Sequence, residues 1–262
     1  MTVGESGLFA RLIRDRLQRR WHEASERVDD LPMASLRRAN SDARRLRQLL
    51  DRFMSAAQPR LLASYADPVV ADLPLGTDAV WRPAPWRGPL SPSGRVAADN
   101  AAVLCDGVSL HHDCPLQELI LRQVPVLRAD GQAPYAVRIE TLGFAGSFLS
   151  LAIQLAPELI EGLRRDHLMR LMLSVQTERP MQIYARLNIR HGPNVEQVLR
   201  ALPGPNPARP GHPVLAEFDL SECEINEKRV ESGWLDLILE RPQMNAVHLS
   251  DLVMMRFPRA DL

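Results

Sequence analysis

Strict alternation of apolar and polar residues constrains this chain more than any other feature, and it is cleanest in the last third. From Met181 onward, Met181, Ile183, Ala185, Leu187 and Ile189 fall on one face, while Gln182, Tyr184, Arg186, Asn188 and Arg190 fall on the other. A period of two is the signature of a strand with one buried face. The runs from Trp234 to Glu240 and from Val247 to Phe257 repeat it. Further strand-like runs start at Ala102, Leu116, Tyr135, Ser147, Leu168 and Val214, with a strand or short helix from Val195 to Leu202 and a short helix from Pro157 to Leu163. Strands following strands, with little helix between them, argue for an antiparallel sandwich and against a nucleotide-binding α/β fold. The expected fold is mainly β, an antiparallel jelly-roll β-sandwich carrying an N-terminal α-helical hairpin.

The hairpin expectation comes from two stripes. Leu8, Leu12, Leu17, Trp21, Ala24 and Val28 line one side of a first helix, and Leu36, Ala39, Ala43, Leu46, Leu50, Phe53 and Ala57 step by three and four along a second. Asp29 to Pro32 is the break between them, and Ser35 is placed to cap the second helix. Two antiparallel helices would bury both stripes. The expected divisions are 1–65 for the hairpin, 66–99 for a Pro-rich linker packing on the sandwich and 100–262 for the sandwich itself. The prolines around Trp81 and Trp86 hold that linker extended, with its indoles as anchors along the sandwich.

Charge separates the same regions. Residues 1–60 hold 13 Arg against 8 acidic residues, a balance of +5, and the remainder is −5, so the whole chain is neutral. Overall neutrality argues against nucleic acid as a partner. A basic amphipathic segment over residues 8–57, with Leu8, Phe9, Leu12, Ile13 and Trp21 on its apolar side, is compatible with self-association or with peripheral contact at the inner membrane surface. The three cysteines, Cys105, Cys114 and Cys223, form no C-x-x-C, and no signal-peptide pattern opens the chain. The expected location is therefore the cytoplasm. The uncharged stretch from Thr141 to Pro157 is read as a buried strand, being too short and too polar for a membrane span.

Chemical motifs are few. There is no G-x-S-x-G, P-loop, G-x-G-x-x-G or H-E-x-x-H. His111-His112-Asp113-Cys114 is the densest group of potential ligands, but alternation sends its members to opposite faces, so no metal and no cofactor is expected. A hydrolytic reading would need His112 and Cys114, or Glu140 paired with Asp236, to act together. Non-enzymatic binding is preferred. Arg138, Glu140, Tyr184, Arg186, Asn188, Trp234 and Asp236 all sit out of phase with the apolar residues of their strands. On one curved sheet they would offer aromatic rings for sugars and planar polar groups for paired hydroxyls. The expected function is recognition of a glycan or envelope polysaccharide through that face; the alternative is a scaffold protein working through its basic helices.

Two resemblances accompany this reading. The segments from Thr77 to Pro89, His112-Asp113-Cys114, Gly146 to Leu151, Ala185 to Asn188, His191 to Asn194, Phe218-Asp219-Leu220 and Asn226 to Val230 resemble an uncharacterised alphaproteobacterial family with no assigned function. More loosely, the strands Val214 to Leu220, Trp234 to Leu239 and Val247 to Val253 resemble those of galactose-binding-like carbohydrate-binding modules. That second resemblance implies a jelly roll and, by analogy, a sugar ligand.

Overall fold

The computed structural model describes residue 16 and residues 19–63, 73–126, 133–204 and 213–259. Residues 1–58 and 59–262 are two compact units. In the first, helix α1 (19–26) turns through residues 27–30 into helix α2 (Met33–Ala63). Trp21, Ala24 and Val28 meet Leu36, Ala39 and Ala43 around a cavity of about 340 Å³, so the two stripes face each other as expected. Helix α2 begins just after Pro32, which puts Ser35 inside the first turn instead of at the cap. Further along α2, Leu49, Leu50 and Phe53 are exposed. Leu8, Phe9, Leu12, Ile13 and Leu17, expected on the first helix, lie outside the described residues.

Thirteen strands are found among the described residues, in two antiparallel sheets. They are β1 (Ala79–Trp81), β2 (Gly94–Val96), β3 (Ala102–Cys105), β4 (Val108–His112), β5 (Leu119–Pro125), β6 (Tyr135–Thr141) and β7 (Leu149–Gln154), followed by β8 (His167–Thr177), β9 (Ile183–His191), β10 (Asn194–Ala201), β11 (Val214–Asp219), β12 (Val230–Leu239) and β13 (Asn245–Pro258). Sheet A runs β11-β8-β13-β6-β5-β2 with β1 on the far part of β13, and sheet B runs β10-β9-β12-β7-β4-β3. From β6 onward the chain changes sheet at almost every connection. The last two strands then slot into the middle, β12 between β9 and β7 and β13 between β8 and β6. This interleaving is the expected jelly roll, and it makes the two sheets inseparable halves of one core.

Alternation explains the core directly. Leu149, Leu151 and Ile153 of β7, Leu235 and Leu237 of β12, and Met169, Leu171 and Leu173 of β8 point inward and are all fully buried. The uncharged stretch after Thr141 is therefore a central strand of sheet B, and no helix among the described residues is long and apolar enough to cross a membrane. The run expected as one strand from Ala102 to His111 is a hairpin, turned at Asp106-Gly107. Gly107 has φ +73° and an added Cβ would sit 3.1 Å from Gln154 Cβ, so a side chain there would be strained and crowded.

The Pro-rich stretch is more than a linker. It supplies β1, the short helix α3 (Ala84–Arg87) and β2 to the sandwich. Trp86 is 0% exposed and its indole N–H donates to the Leu249 carbonyl at 2.9 Å. Burying that ring is worth roughly 4–6 kcal/mol of apolar transfer. Buried Arg82 grips Asp251 with two bonds of 2.8 Å, and the Gln123 side chain bonds Leu90 N, Pro85 O and Gly88 O. Trp86 and Arg82 thus tie this segment to β13, and half-buried Trp81 packs against the core.

Candidate functional site

Sheet B has a hollowed outer face, and the hollow follows from which residues β7 turns outward. Of its three outward positions, Ser150 and Ala152 are too small to fill the space between their neighbours, and the third is exposed Gln154. Ser150 lies between His111 of β4 and Ile238 of β12, and Ala152 lies between Ser109 of β4 and Asp236 of β12. Gln154 lies next to Trp234. The result is a trough with a floor of small side chains and larger residues standing on both sides. One cavity of about 420 Å³ is lined by Phe148, His111, Ser150, Ala152, Trp234 and Asp236, with Asn100, Arg186 and Ile238 completing it. A second, of about 370 Å³, shares His111, Ala152 and Trp234 and extends over Ser109 toward Cys105 and Asp106.

Polar groups in the trough are held and only partly used. Arg186 donates from Nε and Nη2 to Asp236 Oδ2 at 3.0 and 2.8 Å, and Asn188 Nδ2 donates to the same oxygen at 2.9 Å. Three donors on one carboxylate oxygen leave Oδ1 with no hydrogen bond among the described residues. Such charge-assisted bonds fix the carboxylate in place. Ser150 is 6% exposed and its hydroxyl oxygen has no partner, a state that costs free energy unless something hydrogen-bonds to it. His111 Nε2 shares a 2.8 Å hydrogen bond with Ser109 Oγ.

The seven residues expected on one face divide into three groups. Arg186, Trp234 and Asp236 line the trough together. Asn188 is on the same face but 0% exposed, beneath the others, where Nδ2 also bonds the carbonyls of Arg186 and Trp234 at 3.2 Å. It supports the Asp236 carboxylate and cannot touch a ligand. Tyr184 is registered beside Ile238, does not line either cavity, and its hydroxyl donates to Glu240 at 3.3 Å. Arg138 and Glu140 are on β6, whose outward side chains project from sheet A on the opposite side of the sandwich. The single-face expectation is thereby corrected: strand phase was right for each residue, but β6 belongs to the other sheet. Glu140 and Asp236, on opposite outer faces, cannot flank one glycosidic bond.

The trough also contains residues that alternation did not single out. Ser109, Ser150 and Ala152 matter because they are small, and Phe148 because it ends a loop; neither property stands out in a strand pattern. The His111 to Cys114 group separates as alternation requires. His111 enters the trough, whereas buried His112 bonds Ala98 O through Nε2 at 3.0 Å and receives Cys114 N at Nδ1 at 3.2 Å. Asp113 binds the loop before β7, and Cys114 Sγ accepts from Ala145 N at 3.3 Å. The four side chains do not converge, and no group of three or more His, Cys, Asp or Glu side chains suited to a metal occurs among the described residues. Burial pushes the Cys105 thiol at the edge of the trough above its ordinary range, with Asp106 adding to it, so this sulfur is a poor nucleophile.

With this geometry established, comparison with known proteins gives one assignment. The chain belongs to the family of unknown function DUF6478, whose profile matches residues 1–262. No curated protein matches. Among solved structures, the enzymatically active domain of tailspike protein 4 of bacteriophage CBA120 is similar with a TM-score of 0.40 at 5% identity, over 56% of this chain and 19% of that one. A structure of carbohydrate-binding modules from the β-sandwich superfamily gives 0.38 at 7% identity over 56% of each chain. The CBM22-2 xylan-binding domain of Paenibacillus barcinonensis Xyn10C gives 0.36 at 9% identity, over 57% of this chain and 91% of that domain. The matched part spans less than two thirds of the first two.

Proposed function

We propose that this member of DUF6478 is a non-enzymatic glycan-binding protein and that the trough on sheet B is its binding site. One observation carries the reading: a cavity of about 420 Å³ joins exposed aromatic surface to hydrogen-bonding groups that have unused capacity. A sugar ring has apolar C–H faces and a rim of hydroxyls. Trp234 and Phe148 offer rings for the faces. Asp236 Oδ1 offers an acceptor, and His111 Nδ1 a donor or an acceptor according to its tautomer. The Arg186–Asp236–Asn188 arrangement holds the acceptor before a ligand arrives, so less ordering is needed on binding.

The same geometry disfavours hydrolysis at this site. Asp236 is the single carboxylate lining the cavity between the aromatic residues, whereas glycoside hydrolysis ordinarily uses two carboxyl groups flanking the bond. The test is a glycan array probed with the full chain beside Trp234→Ala. Retention on a glycan by the parent, with at least a tenfold loss in the variant and an unchanged far-ultraviolet circular dichroism spectrum, supports the reading. Equal retention by the two proteins would remove the trough from consideration.

A further inference from the structure

The sequence His112-Asp113-Cys114 remains without a role after the trough is assigned, yet Asp113 is tied into it. Its Oδ1 accepts from the backbone N–H groups of Ser147 at 2.7 Å and Phe148 at 3.2 Å, and Ser147 Oγ donates to Oδ2. The hydrogen bond from Ser147 holds the Asp113 carboxyl below its ordinary range, so it is an anion at neutral pH. Gly146 permits this closeness: a Cβ there would collide with Asp113 Oδ1 and lie 2.8 Å from Cys114 N. The backbone is thus fixed at the point where Phe148 enters the trough. Phe148 itself is 42% exposed, so its ring contributes little to the core that such anchoring would ordinarily serve.

Strand geometry sets the distance between the aromatic residues. Phe148 precedes β7, and Trp234 is registered with Gln154 at the other end of that strand. Six residues at about 3.3 Å each put these backbone positions roughly 20 Å apart, although both side chains line the same cavity. No single sugar ring covers that distance. Between the aromatics lie Ser150, Ala152, His111 and the free oxygen of Asp236. The ionisable lining groups of this cavity are His111, Arg186 and Asp236, and the Arg186 guanidinium is already bound to Asp236. A carboxylated sugar would meet Asp236 where the one guanidinium lining the cavity, Arg186, already pairs with that carboxylate through Nε and Nη2.

We infer that the trough takes an uncharged linear chain of several sugar rings, bridging Phe148 and Trp234, and that Asp113 is a positioning residue for the Phe148 end. The inference rests on the glycan reading and adds the ligand's length and charge. Calorimetric titration of the full chain tests it with neutral gluco- and xylo-oligosaccharides, α-1,4- and β-1,4-linked, from one to six rings, beside oligogalacturonates of the same lengths. Affinity for a neutral series rises with length and levels off once both aromatics are covered, and the acidic series binds at least tenfold more weakly. Phe148→Ala costs about tenfold with the longest neutral chain and leaves the two-ring member unchanged.

Asp113→Ala reproduces that length-selective loss, Asp113→Asn recovers part of it, and adding Phe148→Ala to Asp113→Ala costs nothing more, a coupling that general destabilisation would not produce. Long-chain binding lost in Trp234→Ala but intact in Phe148→Ala overturns the inference and leaves the glycan reading standing. So does equal affinity for one and six rings, or for neutral and acidic chains. Silence of every series defeats both.

Discussion

The outer faces of the two sheets are written in the same alphabet and differ in shape. On sheet A, Glu140 Oε1 is shared by Arg138 at 2.8 Å and Arg122 at 3.0 Å. On sheet B, Asp236 is shared by Arg186 and Asn188. Each face therefore has an acidic residue between two nitrogen-bearing side chains on neighbouring or alternating strand positions; on sheet A, Arg122 donates a hydrogen bond to Glu140 while Arg138 Nε pairs with it by charge alone. The difference lies in the strand beside it. Sheet B places Ser150 and Ala152 at the centre, which leaves room for a ligand and keeps Asp236 nearly out of solvent. Sheet A places Arg138 and Glu140 themselves on a central strand, where long side chains cover the sheet and pair in the open. A polar outward pattern thus predicts a solvated face. Small residues on a central strand open a trough in such a face.

The largest effect comes from erasing that difference. Ala152→Trp would fill the floor of the trough without touching the core, and glycan affinity should fall at least a hundredfold, about 2.7 kcal/mol. Glu140→Trp, the corresponding change on sheet A, should leave affinity within twofold. Both variants should retain a cooperative melt. Equal losses in the two would mean that the faces do not differ in function, and no loss in either would place binding elsewhere.

A smaller contrast concerns the carboxylates themselves. Asp236 is buried and accepts three hydrogen bonds, so Asp236→Ala leaves Asn188 beneath the face without its partner and should cost about 1–3 kcal/mol. That range is moderated because Arg186 is partly exposed and can turn to water. Glu140→Ala removes a pair in which Arg138 and Arg122 are well exposed and should cost under about 1 kcal/mol. Urea unfolding of both variants decides the matter; a Glu140→Ala loss equal to that of Asp236→Ala would show that burial is not what separates the two clusters.

Much of the sandwich was legible because alternation is a local signal. The phases of β7, β8, β9 and β12 could be read residue by residue, as could the divergence of His111 and His112. Sheet membership could not, since it depends on which strands pair across the chain. Arg138 and Glu140 have the correct phase and the wrong sheet for that reason, and Asn188 has the correct face but is covered by its neighbours. β1 and β2 were hidden by their three-residue length and by surrounding prolines; their place is fixed by Trp86, Arg82 and Gln123 bonding to residues far along the chain. The trough itself was concealed because Ser150 and Ala152 attract notice only once large residues are known to flank them.

The last contrast is in response to acid, and it is the smallest because it rests on two groups at one end of sheet A. Arg256 near the end of β13 holds Asp78 with two bonds of 2.9 Å and bonds the carbonyls of Leu159 and Glu161. Buried His167, at the start of β8, is held below its ordinary range by burial and then by the Arg256 charge, with Asp166 and Asp78 opposing and Arg164 adding a minor push the same way. The hydrogen bonds from Arg256 hold Asp78 below its ordinary range, against desolvation. For both, the unfolded chain takes up a proton before the folded one, so stability falls as pH falls. The His167 contribution is complete above about pH 6.5 and declines below it; that of Asp78 is complete above about pH 3.9 and declines below that. Denaturation across a pH series should therefore be level from pH 8 to about 6.5 and then lose stability in two stages, the upper from His167 and the lower shared by Asp78 with Asp113 and Asp219, whose carboxyls are also held below their ordinary range. His167→Gln should flatten the upper stage alone. Amide exchange should open β1, which pairs with this end of β13, before the strands under the trough. Stability at pH 5.5 equal to that at pH 7.5, or β1 and β7 opening together, would show that acid does not distinguish this end of sheet A from the trough of sheet B.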